Sequence, residues 1–482
     1  MITTMKRYII VLLFIVALPV VAAAQVRTSY FMEGSTFRTD MNPALAPTRG
    51  YINVPMLGGL SLGVNNNFLS IDNLLYPTEN GLVPFLNKAV DRNKFLNRLP
   101  RNNVFGLSLS EQIVGFGSHT KRFFWSAGVN MKMDADVNIP KDFFSLITTL
   151  GQGSYNLKGM SVGANVYMEA YVGAAVPIKD FITVGARLKG LVGMANASME
   201  VTNMMVNVTD THVSADFRGA MQATCPVFNP NLRAGEVVDF ENLMMDEGDI
   251  MQLITNPGRM FKSGGFALDL GAEARLLDDK LRLSAAVVDL GFISWDSSAT
   301  VEGTMGTAFS YEGFDIESGD VNVKSEEFEF VGKAASGKCS KRMNCSLNIG
   351  AEYAILRNRI SFGLLSHSKF CQTYSFSELT ASVNFKPVNW ITASFSHTFL
   401  NKNQPGVFGF ALNLHPTGLN IFLGADFIDL KMAPWSSAGM LLPVRQRSVN
   451  LNFGLGFSLG RAKYSKAYKD DMARRQSRKA KK

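Results

Sequence analysis

Charge is scarce in this chain: Asp, Glu, Lys and Arg together make up 18% of its 482 residues, against about a quarter in an ordinary soluble domain. Histidine and cysteine are scarcer, at five and four. His119, His212, His367, His397 and His415 are scattered without metal-ligand spacing. There is no strand-turn-helix GxSxG, phosphate loop or HExxH. With no nucleophile–base set to nominate, we expect no enzymatic activity, no metal and no cofactor. Long apolar runs are missing too, with one exception. Beyond Gln25 none approaches the roughly 18 residues of a spanning helix.

The exception lies at the N-terminus. Lys6 and Arg7 precede an apolar core from Ile9 to Val21, and Ala22-Ala23-Ala24 places small residues before Gln25. This is the pattern of a secretory signal peptide cleaved after Ala24. The alternative, a membrane anchor, needs a longer run. An exported chain without helical spans is either soluble or a membrane barrel. The net charge of +8 does not imply nucleic acid. Residues 461–482 hold ten Lys/Arg and two Asp, so the tail alone carries +8 and the body is near neutral. The tail reads as a solvated end, with contact to a periplasmic partner or anionic cell-wall polymer as the functional alternative.

Glycine (42) and phenylalanine (35) are abundant, and they fall in alternating segments. In Val449–Leu459 the odd positions are Val449, Leu451, Phe453, Leu455, Phe457 and Leu459; the even ones are Asn, Gly or Ser. Side chains alternate faces along a strand, so one face is greasy and the other small and polar. Similar strands are expected at 51–65, 103–116, 122–137, 160–176, 181–199, 264–276, 281–293, 345–356 and 360–368. Two hairpins then turn at Lys386–Asn389 and His415–Gly418.

Long and short connections alternate, with both termini on the short-turn side. That is the signature of an all-β fold of one kind, a transmembrane antiparallel β-barrel of about 14 strands in the bacterial outer membrane. A soluble sandwich has no reason to sort its loops this way. Helical pieces are expected in the long loops at 82–99, in the DFFSLITTL stretch, and at 241–255. The expected organisation is a signal peptide at 1–24, an N-terminal segment at 25–48, a barrel at 49–460 and a basic periplasmic tail at 461–482.

Glu169, Arg187, Asp269, Glu273, Arg275, Arg282, Glu352, Lys386 and Asp426 all fall opposite the apolar stripe. Mixed charges in a dry core are costly unless paired, whereas a wet or plugged lumen supplies partners. These nine are expected to face the lumen. Cys225, Cys339, Cys345 and Cys371 all lie on the long-loop side, which is oxidising. Pairing Cys345–Cys371 across their hairpin, with Cys225–Cys339, competes with a local Cys339–Cys345 loop. A one-residue register slip would turn the cross-hairpin pair to opposite faces.

A signal peptide, an irregular segment carrying Asn42-Pro43-Ala44 and then fourteen strands resemble the FadL-like outer-membrane transporters of hydrophobic compounds. The spans 266–295 and 41–68 are similar to an uncharacterised group of Bacteroidota outer-membrane barrels. The resemblance implies that 25–48 folds inside the barrel as a hatch bearing the Asn-Pro-Ala motif. The other reading of the motif is a helix start, with Asn at the N-cap and Pro at N1. A hatch is expected to meet the wall at Glu169, Arg187, Glu273 and Arg275. The partners implied are outer-membrane lipid and a small hydrophobic ligand captured near Phe85, Leu86, Phe95 and Leu96, unless those four only pack the loop. A non-transporting surface, structural or secretion-associated barrel is the competing class.

Overall fold

The computed structural model describes residues 27–460 apart from 69, 79–80, 150–151, 210–211, 227–234, 236, 239–257, 259–260, 315–320, 326–328, 338, 400–405, 429–431, 436–439 and 444–447. The expected signal peptide, basic tail and helical piece at 241–255 therefore lie outside the described residues.

Fourteen strands form a closed antiparallel ring. They are β1 (in two pieces, Gly50–Asn53 and Leu60–Asn66), β2 (Asn102–His119), β3 (Phe124–Pro140), β4 (Ser161–Lys179), β5 (Ile182–Val208), β6 (Ser263–Leu276), β7 (Leu281–Trp295) and β8 (Cys345–Ile355). The ring continues through β9 (Ile360–Phe370), β10 (Ser375–Val388), β11 (Ile391–Phe399), β12 (Val407–Leu414), β13 (Asn420–Ile428) and β14 (Ser448–Leu459). β14 closes the ring by pairing with β13 (Phe453↔Leu423) and with both pieces of β1 (Phe457↔Ile52, Leu451↔Leu62). Closure leaves no edge strand, as a membrane requires.

The alternation of β14 sorts its faces. Asn450, Asn452 and Ser458 are buried inside, while Leu451, Phe457 and Leu459 are exposed outside. Residues 54–59 step out of the wall between the pieces of β1. Val54 N–H donates to the Leu455 carbonyl at 2.9 Å and Leu455 N–H to the Leu57 carbonyl at 2.9 Å, so the seam stays bridged there. β5 runs for 27 residues, well past the roughly 9–11 needed to span. Its far end pairs with Val213–Thr224, which pairs in turn with Thr300–Phe314, raising a sheet above the loop end of the ring.

Three expectations need correction. The 82–99 stretch is not one helix: a hairpin of Leu75–Thr78 and Gly81–Pro84 precedes a short helix, Arg92–Leu96. An Asn87 turn and the Asp91 N-cap, whose carboxylate accepts from Asn93 N–H at 3.0 Å, restart the chain there. The helix at Lys141–Thr149 does form. Second, the loop end is not uniformly long, because β9 and β10 are joined by only Cys371–Tyr374.

Third, none of the four cysteines forms a disulfide. The β8–β9 register sets Cys345 against Phe370, one residue short of Cys371. Cys345 then lies on the face opposite its buried inward neighbour Ser346, whereas Cys371 is itself buried beside the lumen. Cys339 is engaged elsewhere, with its thiol 3.4 Å from Gln222 Oε1.

Candidate functional site

Residues 27–49 run inside the ring. Tyr30, Met32, Met41, Asn42, Ala44 and Leu45 are all buried. The segment is a string of tight turns closed by its own backbone, including Tyr30 N–H to Arg27 O at 3.2 Å, Ser35 N–H to Met32 O at 3.0 Å and Thr48 N–H to Glu33 O at 2.9 Å. Its described backbone-to-backbone hydrogen bonds all close within it. Side chains tie it to the wall. Arg27 pairs with Glu378 on β10 at 2.5 Å, and Asp40 with Arg187 on β5 at 2.8 Å. Glu33 pairs with Arg282 on β7 and with Lys386 on β10, the latter at 3.2 Å. Thr28 donates to Asp426 on β13, and Asn348 on β8 donates to the Met41 carbonyl at 2.8 Å.

Asn42-Pro43-Ala44 does not begin a helix. A short helix, Arg38–Met41, ends there with Asn42 as its C-cap. Asn42 Oδ1 accepts from Ala44 N–H at 2.9 Å, which turns the chain, and its Nδ2 donates to Tyr30 Oη at 3.2 Å. The motif lies directly on two wall glycines. A Cβ on Gly271 of β6 would run into the Asn42 side chain, and one on Gly185 of β5 into the Pro43 and Ala44 backbone. Only glycine admits so close an approach.

Of the nine charged residues expected at the lumen, Arg187, Arg282, Lys386 and Asp426 meet the inner segment directly. Glu352 lies behind Arg282 at 3.4 Å and accepts from Ser361 at 2.5 Å. Glu273 and Arg275 pair with each other at 2.7 Å, Arg275 reaching the open end of the ring. Glu169 accepts from Asn130 at 2.7 Å and pairs with Lys132 at 2.9 Å. Asp269 pairs with Lys189 at 2.8 Å and accepts from Asp289 N–H at 2.8 Å. So of the four wall groups expected to meet a hatch, Arg187 pairs with the inner segment, while the ion pairs of Glu169, Glu273 and Arg275 are with wall residues.

Sequence reasoning missed Lys132, Lys189, Asp289 and Glu378. Lys132 and Lys189 sit on the polar faces of their strands and were findable by alternation. Asp289 was not. Asp269 is skipped in the β6–β7 pairing, which steps from Leu268↔Leu290 to Leu270↔Val287, and Asp289 adopts φ 60° there. This bulge reverses the facing of β7 and turns the Asp289 carboxylate inward to both lysines.

Between the inner segment and the loop end lies a cavity of about 120 Å³. Arg27, Lys132, Arg187, Lys189 and Lys369 line it together with Asp40, Asp134, Asp136, Glu169 and Asp289, so its charges balance five against five. Phe37, Leu107, Leu109, Tyr167 and Phe376 stand among them. The loop-end aromatic cluster is separate. Phe95 and Leu96 are buried in it with Phe68, Tyr76 and Phe144; Phe85 stacks on Phe95 at 4.3 Å; Leu86 alone of the four expected capture residues is largely exposed. Among the described residues no group of His, Cys, Asp and Glu is arranged to hold a metal.

A family described as "Family of unknown function (DUF5723)" matches residues 43–426. No curated protein matches the chain. Among solved structures, the P. putida toluene transporter TodX is 10% identical, covering 89% of this chain and 95% of that one at a TM-score of 0.38. The CymD monoaromatic hydrocarbon channel is 8% identical, covering 91% and 95% at 0.39. A Pseudomonas aeruginosa FadL homologue is 9% identical, covering 91% and 99% at 0.38. At these values the likeness bears on neither mechanism nor cargo.

Proposed function

We propose that this chain, which belongs to the DUF5723 family of unknown function, is a gated conduit of the bacterial outer membrane with residues 27–48 as its hatch. The observation that carries this reading is how the segment is held. It is folded on its own backbone bonds and clamped to the wall by side chains. A permanent plug has no need of such independence. A hatch does, because it must leave without breaking the ladder of the ring. The FadL-like resemblance adds small hydrophobic molecules as the cargo class.

Deleting residues 27–46 while keeping the signal tests the hatch. Single-channel conductance in a planar bilayer is expected to rise from a nearly closed level to that of an open pore. Unchanged conductance would leave a structural or surface barrel, the reading that a filled lumen otherwise favours.

A further inference from the structure

Residues 84–101, in the connection from β1 to β2, hold five Lys/Arg against one Asp, a net +4 on 18 residues. Local structure sorts them outward. The short helix Arg92–Leu96 buries Phe95 and Leu96 and exposes Arg92, Asn93 and Lys94. Its buried side is anchored: Phe95 stacks on Phe85 at 4.3 Å and meets Phe144 edge-on at 6.0 Å, with Phe68, Tyr76 and Leu99 in the same cluster. Arg98 is used in this base. Its Nη1 donates to the Asp72 carbonyl at 2.6 Å, and its guanidinium lies 5.6 Å from the Tyr76 ring centre. Lys141 N–H donates to the Arg101 carbonyl at 2.9 Å, which fastens Arg101 to the start of the Lys141–Thr149 helix. The apolar cluster is thus a filled base and not a pocket.

Four cations remain on its outside. Lys88, Arg92, Lys94 and Arg101 are all exposed, and none of them makes an ion pair among the described residues. The carboxylates of the same region are engaged by other donors: Asp91 accepts from Asn93 N–H at 3.0 Å, Asp142 from Asn156 N–H at 3.1 Å and Asp72 from Ser70 at 2.6 Å. In the same stretch Leu86 is 57% exposed. β2 has 18 residues, of which about 9–11 cross the hydrocarbon. Its turn to β3 is short, so the surplus length lies on the loop side. Arg101, just before β2, therefore stands beyond the hydrocarbon on the face that long loops mark as external.

We propose that this patch is a docking surface for the phosphate-bearing headgroups of outer-leaflet lipid, with Leu86 entering the acyl boundary beside them. Charge complementarity selects the phosphate, because each exposed cation near a membrane surface strengthens attraction to an anionic headgroup. The exposed leucine selects an amphiphile over a soluble anion, because binding at an interface adds buried apolar area to charge. The aromatic base turns the cations outward and leaves the lipid to bind on its surface. The docking surface depends neither on the hatch nor on any cargo.

The test uses the full-length protein in dodecyl maltoside micelles. The probe is a dioleoyl phosphatidic acid with a photoactivatable diazirine near the glycerol end of one chain. The comparator is the diacylglycerol with the same chains and diazirine but no phosphate, and adducts are mapped by peptide mass spectrometry. At low salt the phosphatidic acid is expected to label peptides covering 84–101 at least about tenfold more than the comparator does, and the difference to shrink as salt rises. Lys88→Gln, Arg92→Gln, Lys94→Gln and Arg101→Gln combined should lower that labelling at least about tenfold, each Lys or Arg near an anionic surface being worth about fivefold. The heat-modifiable gel mobility of the folded barrel should be retained. Lys121→Gln, Arg122→Gln, Lys179→Gln and Lys280→Gln combined, all exposed at the short-turn end, should change it less than about threefold. The mapping also separates the patch from the basic tail, which both variants keep. Equal labelling by the two lipids, unchanged labelling in the loop-side variant, or an equal loss in the short-turn variant would each overturn the proposal. Displacement of the phosphatidic acid by millimolar inorganic phosphate would assign the patch to a soluble anion and overturn it too.

Discussion

The wall and the inner segment are held by opposite means. The wall is a continuous backbone ladder in which each strand bonds two neighbours, and its outer side chains need only be apolar. The inner segment carries no strand, and ion pairs, side-chain hydrogen bonds and close contacts with wall glycines, Gly185 and Gly271 among them, fix it in place. Stability is therefore spread through the wall and concentrated in the segment. A single change should trouble the wall only by offending the lipid, whereas in the segment it should act by removing or blocking one specific contact.

The largest effect expected belongs to the wall. Leu423, half-exposed in the middle of β13, faces outward, and Leu423→Arg should cost about 2–4 kcal/mol in a folding titration into lipid. A change below about 1 kcal/mol, the value for an interfacial site, would place this residue away from the membrane midplane. Next comes Gly271→Leu, which puts a side chain where Asn42 lies. Overpacking of this kind costs about 1–3 kcal/mol, here expected as proteolytic exposure of residues 27–48 with the ring intact. Loss of the ring as well would mean that the two regions are not separable.

Acid gives a smaller and graded effect. Glu33 sits by the short-turn end, outside the spanning strands. Burial raises its carboxyl pKa, but Arg282, Lys386 and Arg38 overcome this and hold it well below the ordinary value of 4.5. A depressed folded pKa contributes stability above the unfolded value and loses it as the pH falls through the folded one. The segment should stay seated from neutral pH down to the ordinary carboxylate range and loosen below it, seen as conductance rising only below about pH 4. Glu33→Gln should remove that acid step; an unchanged profile would assign it to another carboxylate. The smallest effect is chemical: all four cysteines should titrate as thiols in the unfolded, unreduced protein. Two or none would restore a disulfide.

The ring was legible because a spanning strand writes itself twice, in alternation and in the sorting of its connections. β14 shows both, from Val449 to Leu459. What escaped was whatever breaks period two or lies above the membrane. Asp289 sits on a bulge that reverses facing mid-strand. The 82–99 region has helical spacing, but Asn87 and Asp91 interrupt it. The cysteine pairing failed by one residue of register, which composition does not encode. Of the inner contacts, Arg187, Arg282, Lys386 and Asp426 could be nominated from their faces. Their partners could not, because Glu33 and Asp40 lie in an irregular segment that has no face to read.

The seam between β14 and β1 also sets an order of assembly. It joins the ends of the barrel, Gly50 against Leu459, and so has the greatest sequence separation of any strand pairing and the costliest loop to close. The inner segment is the stretch of chain immediately before Gly50. It hangs from the strand that seals the ring and lies enclosed by strands on every side once the seal is made. Closure and loading are thus coupled in biogenesis: a segment already inboard when the seam zips is enclosed by the same pairing that seals the ring.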